Sequence, residues 1–176
     1  LTITEPDVVD FDTDMTPVSC NGGADGQIEV INVTGGTPGY EYSNDGGATW
    51  QAGAIFAGLT AGDYDIQVRD VNLCISAIQT VTVTEPDPIN FATDMTPVTC
   101  NGGADGSIEV INVTGGTAPY EYSNDGGATW QASPIFGGLV AATYNMQVRD
   151  ANLCTSAVVP TDVTQPDAIA FVPVVN

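Results

Sequence analysis

The sequence predicts an all-β protein made of two tandem sandwich repeats. Three observations lead there: an internal repeat, a pattern of short alternating segments broken by turn residues, and the lack of any capped segment with helical periodicity. The repeat comes first, because missing it would mis-assign the whole fold. Thr4–Val83 and Thr84–Val163 align without a gap at an offset of 80, with 57 of 80 positions identical. Cys20 maps to Cys100, Trp50 to Trp130, Arg69 to Arg149 and Cys74 to Cys154. The domains are therefore 4–83 and 84–163. Residues 1–3 align with Val81–Val83, the end of a preceding copy, and 164–176 open a further copy with Thr-Gln-Pro-Asp.

Within one copy the elements follow in order. Val8–Val18 is a β-rich run, and Cys20–Gly26 is a turn cluster. Gln27–Thr34 is rich in Ile and Val, and its alternation shifts phase at Val30–Ile31, which predicts a bulge. Gly35-Gly36 interrupts the chain. Tyr40 and Tyr42 alternate with polar residues, and Asp45-Gly46 is a hairpin signal. Tyr64, Ile66 and Val68 alternate with Asp65, Gln67 and Arg69, as in a half-buried strand. Asp70–Asn72 turns the chain into a last strand, Cys74–Thr84. Six or seven strands in about 80 residues fit an immunoglobulin-like sandwich. Leu59–Tyr64 reads as a tyrosine corner, and the second copy keeps Leu139 and Tyr144 with Ala142 in place of Gly62. The expected core is Ile28, Phe56, Tyr64, Ile66 and Val68, with Ile108, Phe136, Tyr144, Met146 and Val148 in the second copy.

Composition narrows the function. Acids outnumber bases 22 to 2, the bases being Arg69 and Arg149, and His and Lys are absent. A formal charge of −20 repels nucleic-acid phosphates and anionic lipids and attracts divalent cations. No apolar run is long enough to span a bilayer, so no direct membrane insertion is expected. Catalytic dyads and triads that use His are excluded for this chain. Carboxylate pairs lie on turns and strand faces with no sign of a cleft, so no enzyme is expected.

Four cysteines in two equivalent pairs, Cys20 with Cys74 and Cys100 with Cys154, suggest disulfides and an oxidising, extracellular setting. The local pairing closes loops of roughly 55 residues and is preferred here. The rival is a cross-repeat bridge, Cys20–Cys154. In a seven-stranded sandwich the two cysteines of one copy sit at opposite poles, too far apart to bond. An even strand count would bring them together.

The ordered motifs Cys-Asn-Gly-Gly-Ala-Asp-Gly, Gly-Gly-Thr-Pro, Tyr-Glu-Tyr-Ser, Leu-Thr-Ala-Gly-Asp-Tyr and Val-Arg-Asp-Val-Asn-Leu-Cys resemble the SprB repeat. Leu73 and Leu153 stand where that family often has Gly. The resemblance implies a secreted, array-forming module of bacterial cell-surface adhesins and extracellular filaments; gliding motility is the role of one family member. It implies further copies, head to tail, as partners, with surface glycans or other cells as possible targets. The alternative is a lectin-like carbohydrate-binding module using Trp50 with Tyr40 or Tyr42.

Two further sites are expected. Ser43, Asp45, Gly47 and Trp50, repeated as Ser123, Asp125, Gly127 and Trp130, resemble the Asp-box hairpin, read here as structural. Calcium, which takes six to eight oxygens, is expected at repeat junctions. Its ligands would be Glu85, Asp87, Asp25 and Asp150, with Glu5, Asp7 and Asp70 as the equivalent set one junction earlier. Asn32-Val33-Thr34 and Asn112-Val113-Thr114 match the glycosylation pattern and are read as strand sequence.

Overall fold

The reason each repeat forms a sandwich is visible along its strands, where apolar side chains alternate inward. The computed structural model describes residues 5–171, and the segment expected to end a preceding copy, 1–3, lies outside them. The first repeat has strands β1 (Asp10–Thr16), β2 (Gly26–Thr34), β3 (Glu41–Ser43), β4 (Ile55–Leu59), β5 (Gly62–Arg69) and β6 (Gln79–Val83). The second repeats them as β7 (Asn90–Thr96), β8 (Gly106–Thr114), β9 (Glu121–Ser123), β10 (Ile135–Leu139), β11 (Ala142–Arg149) and β12 (Val159–Val163). No helix occurs among the described residues, so none is long and apolar enough to cross a membrane.

Each repeat holds two antiparallel sheets, ordered β1-β2-β4 and β3-β5-β6 in the first and β7-β8-β10 and β9-β11-β12 in the second. Val9, Phe11, Ile28, Val30, Phe56 and Leu59 from one sheet meet Ile66, Val68 and Val83 from the other in one core. The second repeat matches it with Ile89, Ile108, Val110, Phe136, Met146, Val148 and Val163. This is the immunoglobulin-like layout the strand pattern predicts. Ile28, Ile66 and Val68 are fully enclosed. Tyr64 and Tyr144 are a correction to the predicted core: each is only half-buried. The ring packs on the core while the hydroxyl reaches back to a carbonyl, Thr60 O at 3.1 Å or Val140 O at 3.2 Å. That is the tyrosine corner, and its polar tip keeps the residue at the rim.

The bulge lies two residues later than the sequence suggests. Asp12 pairs with Ile31 and Asp10 with Thr34, so the extra residue falls at Asn32–Val33. Asn32 takes a left-handed φ of 51°, which Asn tolerates better than other non-glycine residues, and its amide donates to Asp12 Oδ2 at 3.0 Å. The glycosylation-like string Asn-Val-Thr is thus a bulge sequence.

Two poles organise each repeat. At the N-pole, where the chain enters, Gly36 N donates to Asp7 O at 2.9 Å. Gly35 sits so close that a Cβ would lie 2.0 Å from Val8 O, at a φ of +69°; only glycine satisfies both constraints. At the C-pole, Val18 N donates to Thr84 O at 2.9 Å as the chain leaves β6. The named strands number six per repeat, yet the chain leaves at the pole opposite its start. The missing reversal is a stub at Gln51, whose N and O exchange hydrogen bonds with Tyr42 at 2.9 and 2.8 Å. That antiparallel bridge, Tyr42↔Gln51, adds the extra pass, and the second repeat has it at Tyr122↔Gln131. The chain divides into two compact units, Leu1–Pro86 and Asp87–Asn176, so Thr84-Glu85-Pro86 attaches to the repeat it leaves.

Candidate functional site: the poles and the acidic hairpin

At the N-pole, the Val-Arg-Asp-Val-Asn-Leu-Cys string is a turn wound on one carboxylate. Asp70 is 2% exposed. It accepts from Thr37 N at 2.9 Å, Asn72 N at 2.9 Å and Cys74 N at 2.8 Å. The backbone NH of Thr37, ahead of those of Cys74 and Asn72, holds its pKa below the usual carboxylate value against the opposing effect of burial. Asp150 accepts the same three backbone bonds, from Thr117 N, Asn152 N and Cys154 N. Leu73 and Leu153 follow with left-handed φ of 67° and 65° and exposed side chains, a backbone conformation that favours glycine. Asp7 and Asp87 meet the turn through the chain: Gly36 N and Gly116 N donate to their carbonyls.

At the C-pole the turn starting at Cys20 is fixed from both sides. Asp25 accepts from Ser19 N at 2.9 Å and from the Ser19 hydroxyl, and these bonds, the hydroxyl first, lower its pKa. Asp105 has Thr99 as the same partner, with the same effect. Glu85 reaches back from the departing chain, accepting from Gly22 N at 2.6 Å and Asn21 Nδ2 at 3.1 Å. In the second repeat Gln165 replaces it, its Oε1 accepting from Gly102 N at 2.8 Å. A neutral amide fills the position as well as a carboxylate, so the position serves backbone capping and needs no charge.

The acids expected to ligate calcium are thus placed as follows. Asp25 and Glu85 lie on the C-pole turn and Asp70 and Asp150 on N-pole turns, their carboxylates engaged with the protein's own donors, while Asp87 is engaged through its main-chain carbonyl and its side chain is exposed. Glu5 and Asp7 have exposed side chains. Among the described residues no group of three or more His, Cys, Asp or Glu comes together as a metal ion requires.

The predicted hairpin is built as an Asp-box. Ser43 Oγ is buried, donates to Asp45 Oδ1 at 2.7 Å and accepts from Gly47 N at 2.8 Å. Asp45 also accepts from Thr49 N at 2.9 Å and Thr49 Oγ1 at 2.6 Å. These bonds, Thr49 Oγ1 foremost, hold the Asp45 pKa down at about 2. Asp125 is held at about 2 by Thr129 and Ser123. Trp50 Nε1 donates to Gly47 O at 3.0 Å. The Arg69 guanidinium stacks 4.5 Å from the Trp50 ring centroid and pairs with Glu41 at 2.6 Å. Arg149, Trp130 and Glu121 repeat the arrangement. Both arginines of the chain are therefore spent on covering a tryptophan face.

The cysteines correct the preferred pairing. Cys74 and Cys100 carry free thiols, whereas Cys20 and Cys154 are disulfide-bonded. Neither local bridge, Cys20–Cys74 or Cys100–Cys154, is formed. The physical reason lies inside one repeat. Cys20 is on the C-pole turn and Cys74 on the N-pole turn, separated by the nine residues of β2, about 30 Å of strand. Bonded Cα atoms lie within about 7 Å. The stub at Gln51 supplies the odd reversal that keeps them apart.

These features define a class: tandem immunoglobulin-like all-β modules with a hydrogen-bonded turn at each pole. A comparison with protein families adds to this. The SprB repeat model matches residues 13–49 and 92–129, one stretch in each repeat, so each repeat carries the SprB signature. No curated protein matches the chain. Among solved structures, the three N-terminal domains of the bacteriophage RB49 highly immunogenic outer capsid protein (Hoc) share 15% identity at a TM-score of 0.45, covering 90% of this chain and 59% of that one. The C-terminal fragment of intimin, solved with the intimin-binding domain of its translocated receptor, shares 12% at 0.43, with 92% and 65% covered. Domains 7–9 of the S-layer protein SbsC share 14% at 0.32, with 86% and 58% covered. The chain spans less than two thirds of each of these structures.

Proposed function

We propose that this chain is a structural spacer: a pair of repeat modules from a long bacterial surface or extracellular filament protein, joined head to tail. One observation carries the reading. The polar side chains of the Asp-box and of the N-pole turn, which sequence alone offered as candidate features, are spent on building the module, and in the same way in both copies. Asp45 and Asp125 hold hairpins, Asp70 and Asp150 hold turns, and Arg69 and Arg149 cover tryptophans. A surface that is repeated and internally satisfied supplies length. It supplies no reaction centre.

The SprB match supports a structural repeat module of a surface protein. Adhesion to other cells or glycans is part of the proposal as a role of the assembled array. The lectin-like alternative has less support, because a sugar platform needs a bare aromatic face and the Trp50 face carries Arg69. Calcium enters the proposal as the divalent cation that this acidic surface attracts. The first repeat, with twelve acids and one Arg, and the second, with nine and one, repel each other at close range.

Immunogold labelling of the source cells tests the location. Label along extracellular filaments or the outer surface is expected; label confined to the cytoplasm contradicts the proposal. A glycan array with the 176-residue chain tests the alternative: saturable binding lost in Trp50→Ala would favour the lectin reading.

A further inference from the structure

The edge beside β1 distinguishes the first repeat from the second. β1 is an edge of one sheet and β6 an edge of the other. Between them lies a slot of about 380 Å³, walled by Val8–Phe11 on one side and Ser76–Gln79 on the other. Gln79 Nε2 donates to Thr13 Oγ1 at 3.1 Å, joining the two edges beyond Phe11. Val8 and Ile78, one from each wall, are 80% and 54% exposed. Among the described residues no hydrogen bond engages the main-chain groups of Val8, Val9 or Ile78. Such an edge offers unused donors and acceptors to an incoming strand. In the second repeat the same edges are blunted. Pro88 stands in place of Val8, and Pro160, within β12, in place of Thr80; proline has no NH to offer. Pro88 O is also taken, by Asn90 Nδ2 at 3.0 Å, where the first repeat has Asp10. The chain also carries a strand-like segment that lies in no sheet. Ala168-Ile169-Ala170-Phe171 alternates small and large apolar residues, bears no charge and is exposed throughout. Four extended residues span about 13 Å, which matches the four-residue Val8–Phe11 wall. An uncharged segment also approaches a repeat with twelve acids and one Arg without repulsion.

We propose that the slot between β1 and β6 is a strand-docking site, and that its occupant is Ala168–Phe171 of a second copy of this chain. The segment adds to the free edge of β1, main chain to main chain, and Ile169 and Phe171 cover the apolar walls. Donor and acceptor are different surfaces, so the contact is heterologous and repeats from copy to copy. The proposal goes beyond the spacer reading and does not rest on it, since it concerns only the edges of one module and one exposed segment.

Analytical ultracentrifugation of the full chain is the test, with free thiols alkylated so that disulfides cannot join copies. The mean mass should rise with protein concentration. Ile169→Asp with Phe171→Asp should weaken association by about a hundredfold, about tenfold for each large apolar side chain no longer buried. Val8→Pro with Thr80→Pro introduces the second repeat's own residues, so the melting temperature should hold while association is lost. An equimolar mixture of these two double variants pairs an open slot lacking a donor with a donor lacking a slot, and should stop at one mixed dimer. A chain monomeric at every concentration, association that survives either pair of substitutions, or a mixture that forms no dimer would overturn the docking site. If the prolines lower the melting temperature, the aspartate pair decides alone. The immunogold result is independent of these outcomes, so the spacer reading can stand or fall separately.

Discussion

Asp70 and Asp150 illustrate how one side chain closes a whole turn. Each carboxylate accepts three backbone NH groups in a nearly sealed site. Removing it strands those donors, and hydrogen bonds to charged groups contribute about 1.5–3 kcal/mol each. Asp70→Ala should therefore destabilise the first repeat by about 3 kcal/mol in urea denaturation, while Asp70→Asn, which keeps an acceptor, should cost less. A neutral result for Asp70→Ala would mean that the turn is held by something else. Asp45 and Asp125 make a pH prediction. Their folded pKa of about 2 lies below the unfolded value of 3.8. Each contributes stability that is fully present above about pH 4 and lost as pH falls toward 2. Thermal melts should show the midpoint dropping across that window. With both Asp45→Asn and Asp125→Asn, part of that drop should disappear; an unchanged pH profile would detach the carboxylates from hairpin stability.

At the scale of elements, the tyrosine corner ties the turn before β5 to its strand. Tyr64→Phe keeps the ring on the core and removes only the bond to Thr60 O, so a loss of about 1 kcal/mol is expected. A loss above about 3 kcal/mol would show that the hydroxyl does more than close the loop. This element was legible from Leu59–Tyr64 alone, as were the Asp-box and the alternation of β5. Its half-burial was not, since alternation marks a face and not the rim of that face. The bulge was legible as a break in phase but was misplaced, because Val30 and Ile31 gave the signal while the strained residue is Asn32. The Gln51 stub was invisible: a single bridged residue has no periodicity. It nonetheless sets the odd number of passes, and with it the distance between Cys20 and Cys74. The roles of Asp70 and Glu85 also escaped a reading that saw carboxylates as ligands. The signal available was the Glu85-to-Gln165 exchange, which removes charge while keeping an acceptor.

At the scale of the whole molecule, charge and repetition set the behaviour. With −20 spread over two repeats, cations should stabilise the chain by screening. Calcium chloride and sodium chloride matched for ionic strength should then raise the melting temperature alike. A rise specific to calcium and reversed by chelator would instead mark calcium as a bound ligand. Ile169 and Phe171 occupy the register of Ile89 and Phe91 in the second repeat and of Val9 and Phe11 in the first. Val9 and Phe11 are core residues, whereas Ile169 and Phe171 are 101% and 84% exposed. Residues 172–176 of that expected first strand lie outside the described residues.

The central claim is that these modules supply length, and concatemers of two, four and eight repeats measure it directly. Small-angle X-ray scattering of the series should give a maximum dimension that grows by a constant increment per added repeat. A maximum dimension that rises only as the cube root of repeat number, as in a collapsed cluster of modules, would contradict the account.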